Sequence, residues 1–285
     1  MKKFFFAKRR KLTWPLWVAF VIILLYALTL LTPLYYMLIN SFKRVDDFLL
    51  NGCWKMPKAV HWQNFEDAIQ LTSGKVSFVG MYINSIILTV SAVLISTATA
   101  TMTAYALARY NFFGRDFLVA LGVGSLVIPN LGSSTVIYKL FVDMNAIDTW
   151  LILIQYTTPF GMQFLILYGL FKTVAGTYVD AARIDGAGEW CIFLRICVPM
   201  AKGALGATMV ILVINNWNDY YTPYMYLPSI KTLSIGLQEL TMTVSQLDRP
   251  KLFAGMVVAL TPLMIIFIAM RDVIIENTVA GGLKG

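Results

Sequence analysis

Long apolar stretches constrain the fold of this chain more than any other feature of its sequence. The first of them has no charged residue between Leu12 and Phe42. About 20 apolar residues in a helix cross the roughly 30 Å hydrocarbon layer of a bilayer. Six stretches reach or approach that length: Trp14–Tyr36, Tyr82–Ala106, Phe117–Tyr138, Trp150–Phe171, Ala204–Tyr224 and Leu252–Met270. The sequence therefore predicts an all-α integral membrane protein with six transmembrane helices.

The composition agrees with a membrane environment. Of the 285 residues, 58% are hydrophobic and 13% are charged, whereas soluble domains are about one quarter charged. Membrane lipids are therefore the expected surroundings of the chain. The N-terminal apolar run is longer than the roughly 7–15 residues of a cleavable signal-peptide core, so we expect it to remain as the first span.

The distribution of basic residues predicts the orientation. One set lies in the segments before span one and after spans two, four and six: Lys2, Lys3, Lys8, Arg9, Arg10, Lys11, Arg109, Arg115, Lys172, Arg183, Arg195, Lys202, Arg271 and Lys284. Lysine and arginine accumulate on the cytoplasmic side of membrane proteins, so both termini are expected in the cytoplasm. The net charge is +8. The basic residues flank apolar runs and form no dense patch, which argues against a nucleic-acid partner.

The predicted organisation is a single transmembrane domain over residues 1–285. Its core covers about residues 82–270, its cytoplasmic N-terminus residues 1–11 and its cytoplasmic tail residues 271–285. Two polar segments, Lys43–Gly80 and Pro228–Lys251, are expected on the outer side, with a short helix around Asn64–Leu71.

Residues for metal binding or catalysis are sparse. The three cysteines and the single histidine, His61, are not at metal-ligand spacing and suggest no Cys–His nucleophile. Gly74-Lys75 is followed by Val76 and lacks the upstream glycine of a phosphate-binding loop. We therefore predict no cofactor, no metal, no catalytic residues and no ATP hydrolysis by this chain, which is not expected to be an enzyme.

The segment after span four carries helix punctuation. Thr177 and Asp180 fit a capping box, and Gly186 suits the left-handed residue that ends a helix, which predicts a helix over about Tyr178–Asp185. A second helix is expected from Glu189 to Val198, where Pro199 breaks the chain. The residues alone leave two interpretations open: a plug for the socket of a partner, or an amphipathic helix lying on the membrane.

A resemblance to a known family favours the first interpretation, docking into a partner protein. Asp180-Ala181-Ala182-Arg183-Ile184-Asp185-Gly186-Ala187, followed by Ile196-Cys197-Val198-Pro199, resembles the EAA loop of binding-protein-dependent ABC importer permeases, E-A-A-x-x-D-G-A with I-x-L-P about nine residues later. Other segments resemble the carbohydrate, maltose-type branch: Asn84-Ser85-Ile86, Ala104-Tyr105-Ala106-Leu107-Ala108-Arg109, Ile128-Pro129, Trp217-Asn218-Asp219 and Ala280–Gly285. Three residues depart from the pattern: Asp180 replaces Glu, and Ala175 and Gly203 replace prolines.

The resemblance implies a division of labour. The helix of the EAA loop is the coupling helix, which docks in a cleft of a separate ATPase. The docking residues it implies here are Asp180, Ala181, Ala182, Asp185 and Gly186. The implied partners are a second, non-identical permease subunit, two ATP-binding subunits and an extracytoplasmic solute-binding protein, all at a bacterial plasma membrane. In maltose-type members, a tail like Gly282–Gly285 also reaches toward the ATPase dimer.

A polar and aromatic cluster near the end of span five is the candidate solute pathway. It consists of Asn216, Asn218, Asp219 and Tyr220, with Gln155 of span four. Amides, carboxylates and flat rings match the hydroxyls and apolar faces of a sugar. The alternative is an aromatic belt at the outer interface, where Trp and Tyr gather in membrane proteins.

Two other classes of function compete with an importer subunit. An ion-coupled secondary transporter needs acids or broken helices near the membrane midplane, and Asp219 alone is weak support for one. A membrane-embedded enzyme or receptor needs a convergent set of reactive residues or a soluble output domain, and the sequence suggests neither.

Overall fold

The computed structural model describes residues 14–70, 72–73, 75–127, 133–173, 176–243 and 249–282. Within these ranges the chain is predominantly helical. The α-helices are α1 Trp14–Ser41, α2 Val45–Leu50, α3 Gln63–Gln70, α4 Phe78–Arg109, α5 Arg115–Val127, α6 Ser133–Asp143, α7 Met162–Thr173, α8 Gly176–Ile184, α9 Glu189–Met200, α10 Lys202–Asn218, α11 Tyr221–Tyr226, α12 Leu233–Thr243 and α13 Arg249–Gly282. A 3₁₀ helix covers Trp150–Tyr156, and strands β1 Thr72–Ser73 and β2 Val76–Ser77 pair in an antiparallel hairpin.

Three helices in the described ranges are long and apolar enough to cross a membrane. They are Trp14–Ser41, Phe78–Arg109 and the Arg249–Ala269 part of α13, which correspond to predicted spans one, two and six. The pair Glu189–Met200 and Lys202–Asn218 would make a fourth if counted as one span, but it bends by 76°.

Six transmembrane helices are therefore not confirmed. The described parts of predicted span three are α5 and α6, and Ile128-Pro129 falls outside the described residues. Predicted spans four and five are not single helices. Span four changes from the 3₁₀ helix to α7 through a segment containing Pro159 and Gly161, whose φ of +144° favours glycine. Span five ends at Asn218 and resumes as α11.

The described residues group into two compact units. One unit comprises Met1–Ala68 and Val244–Val258, and the other comprises Ile69–Thr243 and Ala259–Gly285. The single domain expected from the sequence stays a prediction.

In the first unit, buried polar contacts organise the segment after α1. The amide of Asn64 donates to the carbonyls of Ser41 at 2.8 Å and Lys43 at 2.7 Å, which ties α3 to the end of α1. The ammonium of Lys43 is buried and donates to the carbonyl of Gly52 at 3.1 Å. Because buried donors need partners, these bonds fix one path for the loop. The short helix predicted around Asn64–Leu71 is confirmed as Gln63–Gln70.

In the second unit, α4 is the central helix and carries a hydrophobic cluster toward each end. Ser77 begins it, because its hydroxyl accepts the backbone N–H of Gly80 at 3.2 Å. Leu88 belongs to one cluster, with Phe141, Ala146, Ile152, Tyr226 and Leu227. Tyr105 belongs to the other, with Ala104, Leu107, Phe164, Leu167, Phe171, Val179, Ile192, Phe193, Cys197, Ala201 and Leu205. The candidate sites lie beside these clusters.

Candidate functional sites

The predicted coupling helix is formed by α8 and ends in a hydrogen-bonded turn. The N–H of Ala187 donates to the carbonyl of Ala182 at 2.9 Å, and that of Gly186 donates to the carbonyl of Arg183 at 3.0 Å. This pair of bonds is a Schellman motif, which requires the left-handed φ of +81° observed at Gly186. The stop predicted at Gly186 is confirmed.

The beginning of α8 differs from the prediction. The helix includes Gly176 and Thr177, so Thr177 lies in the first turn and not at the N-cap position that a capping box requires. Asp180 instead forms an ion pair on the helix surface, with its Oδ1 3.6 Å from Nη1 of Arg183.

The two faces of α8 have different surroundings. Val179 is only 3% exposed and belongs to the hydrophobic cluster that contains Tyr105, against which Ala182 and Ala187 also pack. Asp180, Ala181, Asp185 and Gly186 are exposed. The side chain of Ile184 is 87% exposed, and that of Tyr178 is also exposed. The helix is therefore anchored along one face and presents small, acidic and large apolar side chains on the other.

Glu189 joins this helix to the end of α4. Its carboxylate accepts a hydrogen bond from Nε of Arg183 at 2.8 Å and another from the hydroxyl of Tyr110 at 2.7 Å. The Arg183 bond, followed by the Tyr110 bond, lowers the pKa of Glu189 below its usual range. A carboxyl whose pKa is lowered on folding stabilises the fold above its unfolded pKa, and this contribution is lost as pH falls through the folded value. Glu189 is not among the predicted docking residues.

The second predicted helix of this loop is confirmed with different bounds. It covers Glu189–Met200 and contains a π-helical segment at Phe193–Cys197. Pro199 lies in its last turn, and the 76° bend to α10 follows at Ala201. Phe193 packs on Tyr105 with ring centroids 4.8 Å apart, so α9 is fixed against α4 before the bend.

The candidate solute residues lie where α10 ends. The amides of Asn216 and Asn218 donate to the carbonyls of the preceding turn, at 2.8 Å each. Asp219 is extended and outside the helix, and its Oδ1 accepts the N–H of Thr222 at 3.1 Å. Tyr220 is exposed. Asp219 thus lies between α10 and α11, where its carboxylate binds the first turn of α11, and is not a carboxylate in mid-helix.

The structure places part of the predicted set together. Tyr156 lies close to Gln155 and within electrostatic range of Asp219. The neighbouring Trp217 is instead a packing residue, because it is buried, donates from Nε1 to the carbonyl of Ala259 at 3.2 Å and contacts the ring of Tyr82. Gln155 and Asp219 therefore remain candidates around Tyr156.

The two candidate sites lie toward opposite ends of α4. Tyr82, which contacts Trp217, is near the beginning of this helix, and Tyr105, which packs beside Val179, is near its end. The stretch between Tyr82 and Tyr105 is roughly 34 Å long at 1.5 Å per residue. That length slightly exceeds the hydrocarbon thickness of a bilayer.

Known proteins are similar to this chain in sequence over most of its length. No protein-family model matches the sequence. The arabinooligosaccharides transport system permease protein AraQ of Halalkalibacterium halodurans is 29% identical over 280 residues, covering 96% of this chain and 97% of the relative. The melibiose/raffinose/stachyose import permease protein MelC of Bacillus subtilis is 28% identical over 257 residues, covering 89% of this chain and 91% of the relative.

A solved structure shares the fold of this chain. A chain from the crystal structure of a bacterial ABC transporter involved in the import of the acidic polysaccharide alginate superposes with a TM-score of 0.77. The match has 19% sequence identity and covers 90% of this chain and 94% of that chain, so it establishes the fold. The chain is therefore homologous to the permease subunits of sugar ABC transporters and has the fold of an ABC importer permease.

Proposed function

We propose that this chain is a permease subunit of an ATP-driven importer and forms half of the translocation pathway for a carbohydrate or sugar derivative. The observation that carries the proposal is α8, which is anchored by Val179 and exposes Tyr178 and Ile184. Large exposed apolar side chains on a short anchored helix favour a protein partner. That partner is an ATP-binding subunit, because a relative that covers 93% of this chain is a probable ABC transporter permease protein.

The docking residues have distinct roles in this proposal. Ala181, Asp180 and Asp185 are exposed and contact the ATPase directly. Ala182 is half-buried against the cluster, so its small side chain lets α8 lie close to the body of the permease. Gly186 holds the turn that follows. The permease works with a second, non-identical permease subunit, two ATP-binding subunits and a solute-binding protein, in a bacterial plasma membrane with both termini in the cytoplasm.

Uptake is expected to require ATP hydrolysed by a separate subunit. The chain purified alone should hydrolyse no ATP, because the sequence contains no phosphate-binding loop. The complex with two ATP-binding subunits, reconstituted in vesicles with the binding protein, should accumulate labelled oligosaccharide only when ATP is supplied. The measurement is solute uptake together with phosphate release.

An ion-coupled secondary transporter would give the opposite pattern. Its uptake would collapse with an uncoupler and would not depend on ATP. That result, or robust hydrolysis by the chain alone, would overturn the proposed function. A screen of the binding protein against sugars by thermal shift would identify the labelled solute to use.

Substitutions at the outer end of α10 should reduce transport without loss of the ATPase. Asp219→Ala removes the carboxylate near Tyr156 and the cap of α11, whereas Asp219→Asn keeps an oxygen able to accept the Thr222 N–H. If the carboxylate contacts solute, both variants lose uptake, by about tenfold for one charge-assisted hydrogen bond. If it only caps, Asp219→Asn retains uptake. Asn216→Ala should also weaken uptake, and wild-type uptake in all three variants would remove the pathway proposal.

A further inference from the structure

We infer that Glu189 is a positioning residue that transmits the movement of the coupling helix to α4 through its two hydrogen bonds. This inference rests on the proposed function and assigns one link within it. Arg183 is on α8, Glu189 begins α9, and Tyr110 directly follows α4. One carboxylate therefore joins three helical segments, and the bond to Tyr110 connects positions 79 residues apart in sequence.

Both hydrogen bonds have good geometry. Nε of Arg183 lies 2.8 Å from Oε1, and the Tyr110 hydroxyl lies 2.7 Å from Oε2, so each carboxylate oxygen has its own donor. Hydrogen bonds to an ionised carboxylate are shorter and stronger than neutral ones. A hydrogen bond from only one of the two donors would leave the other donor's segment unattached. The carboxylate joins the two segments because it binds both donors.

Tyr110 is itself held by the core. Its backbone N–H donates to the carbonyl of Ala106 at 3.0 Å and closes the last turn of α4. Its ring meets the ring of Tyr105 edge-to-face at 6.0 Å, and Tyr105 packs on Phe171 of α7 and Phe193 of α9. A force on Glu189 therefore reaches Tyr110 and, through its ring, Tyr105, which packs against two other helices, α7 and α9.

Packing alone does not hold this region together. A cavity of about 310 Å³ lies beside Glu189, lined by Met102, Tyr105, Ala106, Tyr110, Glu189, Trp190 and Phe193. Phe193 packs on Tyr105 at one side of this pocket. At the start of α9, the hydrogen bond between the Glu189 carboxylate and the Tyr110 hydroxyl adds a second connection to the end of α4.

The consequence is a separation between docking and transmission. The exposed residues of α8 would contact the ATPase, whereas Arg183, Glu189 and Tyr110 would carry the displacement to the helix that spans the distance to the outer site. Without the Glu189 bonds, the ATPase would still bind and hydrolyse ATP, but α8 would move relative to α4 instead of moving with it. Less solute would then be imported for each ATP hydrolysed.

The test compares uptake per ATP in the reconstituted complex. Tyr110→Phe removes only the hydroxyl that donates to Glu189, and Glu189→Gln removes the charge while keeping the length of the side chain. Each variant should lower uptake per ATP by roughly threefold to tenfold, since hydrogen bonds to charged groups are lost at a partly exposed site. Because both act on one link, the double variant should fall no further than the lower single variant.

Two matched variants control for the chemistry of substitution. Tyr26→Phe is in α1, and Glu66→Gln is on the exposed surface of α3; both should retain uptake per ATP. The Tm of Tyr110→Phe in thermal unfolding should lie within a few degrees of the wild-type Tm. Unchanged uptake per ATP in Tyr110→Phe and Glu189→Gln, or additive losses in the double variant, overturns the inference. Failure of the wild-type chain to bind any ATPase overturns the proposed function and this inference with it.

Discussion

Replacing Ile184 with aspartate is expected to release the ATP-binding subunit from this chain. The side chain is 87% exposed on α8, so the substitution removes no core contact. Burying an isoleucine in a partner contributes about 1.5–3 kcal/mol, and each 1.4 kcal/mol corresponds to a factor of ten in affinity. A carboxylate in the same socket must also lose its hydration, which adds to the cost. The affinity should therefore fall by at least about tenfold.

The measurement is co-purification of the ATP-binding subunit with the permease, followed by a titration in detergent. Leu50→Asp is the matched control, because Leu50 is 82% exposed on α2 and undergoes the same apolar-to-acidic change. Leu50→Asp should retain the ATPase at wild-type affinity. The experiment also tests the amphipathic alternative for α8, because a helix lying on lipid would lose membrane contact in Ile184→Asp while the ATPase stayed bound. Equal retention by both variants would contradict docking through α8.

The turn that ends α8 was predictable because its determinants are local. Gly186 ends a helix by a φ that few other residues adopt at low cost, and the sequence alone placed it correctly. The bond between Glu189 and Tyr110 was not predictable in the same way, since it depends on how distant segments pack. At Thr177 the local signal was wrong, because α8 begins at Gly176, two residues before the start at Tyr178 that the capping pattern predicted.

Apolar length predicted where membrane segments occur better than it predicted their continuity. Three of the predicted stretches became long helices, although two of these contain an internal proline, Pro33 or Pro262, whereas the stretch from Trp150 to Phe171 changes helix type around Pro159 and Gly161. Hydropathy averages over such residues and cannot detect a break. Similarly, Asp219 was expected near the end of a span, but its role as the first residue after α10 depends on backbone geometry.

Two glycines of α5 should respond in opposite directions to the same substitution. A Cβ on Gly122 would lie 2.7 Å from Cδ1 of Phe160 and 2.9 Å from Cε1 of Phe164, whereas a Cβ on Gly124 would have no such neighbour within 4 Å. Phe164 is fully buried and stacked on Tyr168, so its ring has little freedom to move aside. The glycine at 122 thus permits the close approach of α5 and α7.

Gly122→Ala is expected to destabilise the protein, because overpacking of a filled core costs about 1–3 kcal/mol. Gly124→Ala should stabilise it slightly, because alanine is favoured over glycine in a helix by up to about 1 kcal/mol. In thermal unfolding of the detergent-solubilised chain, the Tm of Gly122→Ala should fall by about 2–10 °C and that of Gly124→Ala should stay the same or rise. Equal shifts in the two variants would mean that α5 does not pack on Phe160 and Phe164. The comparison therefore tests the packing of α5 on α7, which belong to predicted spans three and four, where apolar length is least informative.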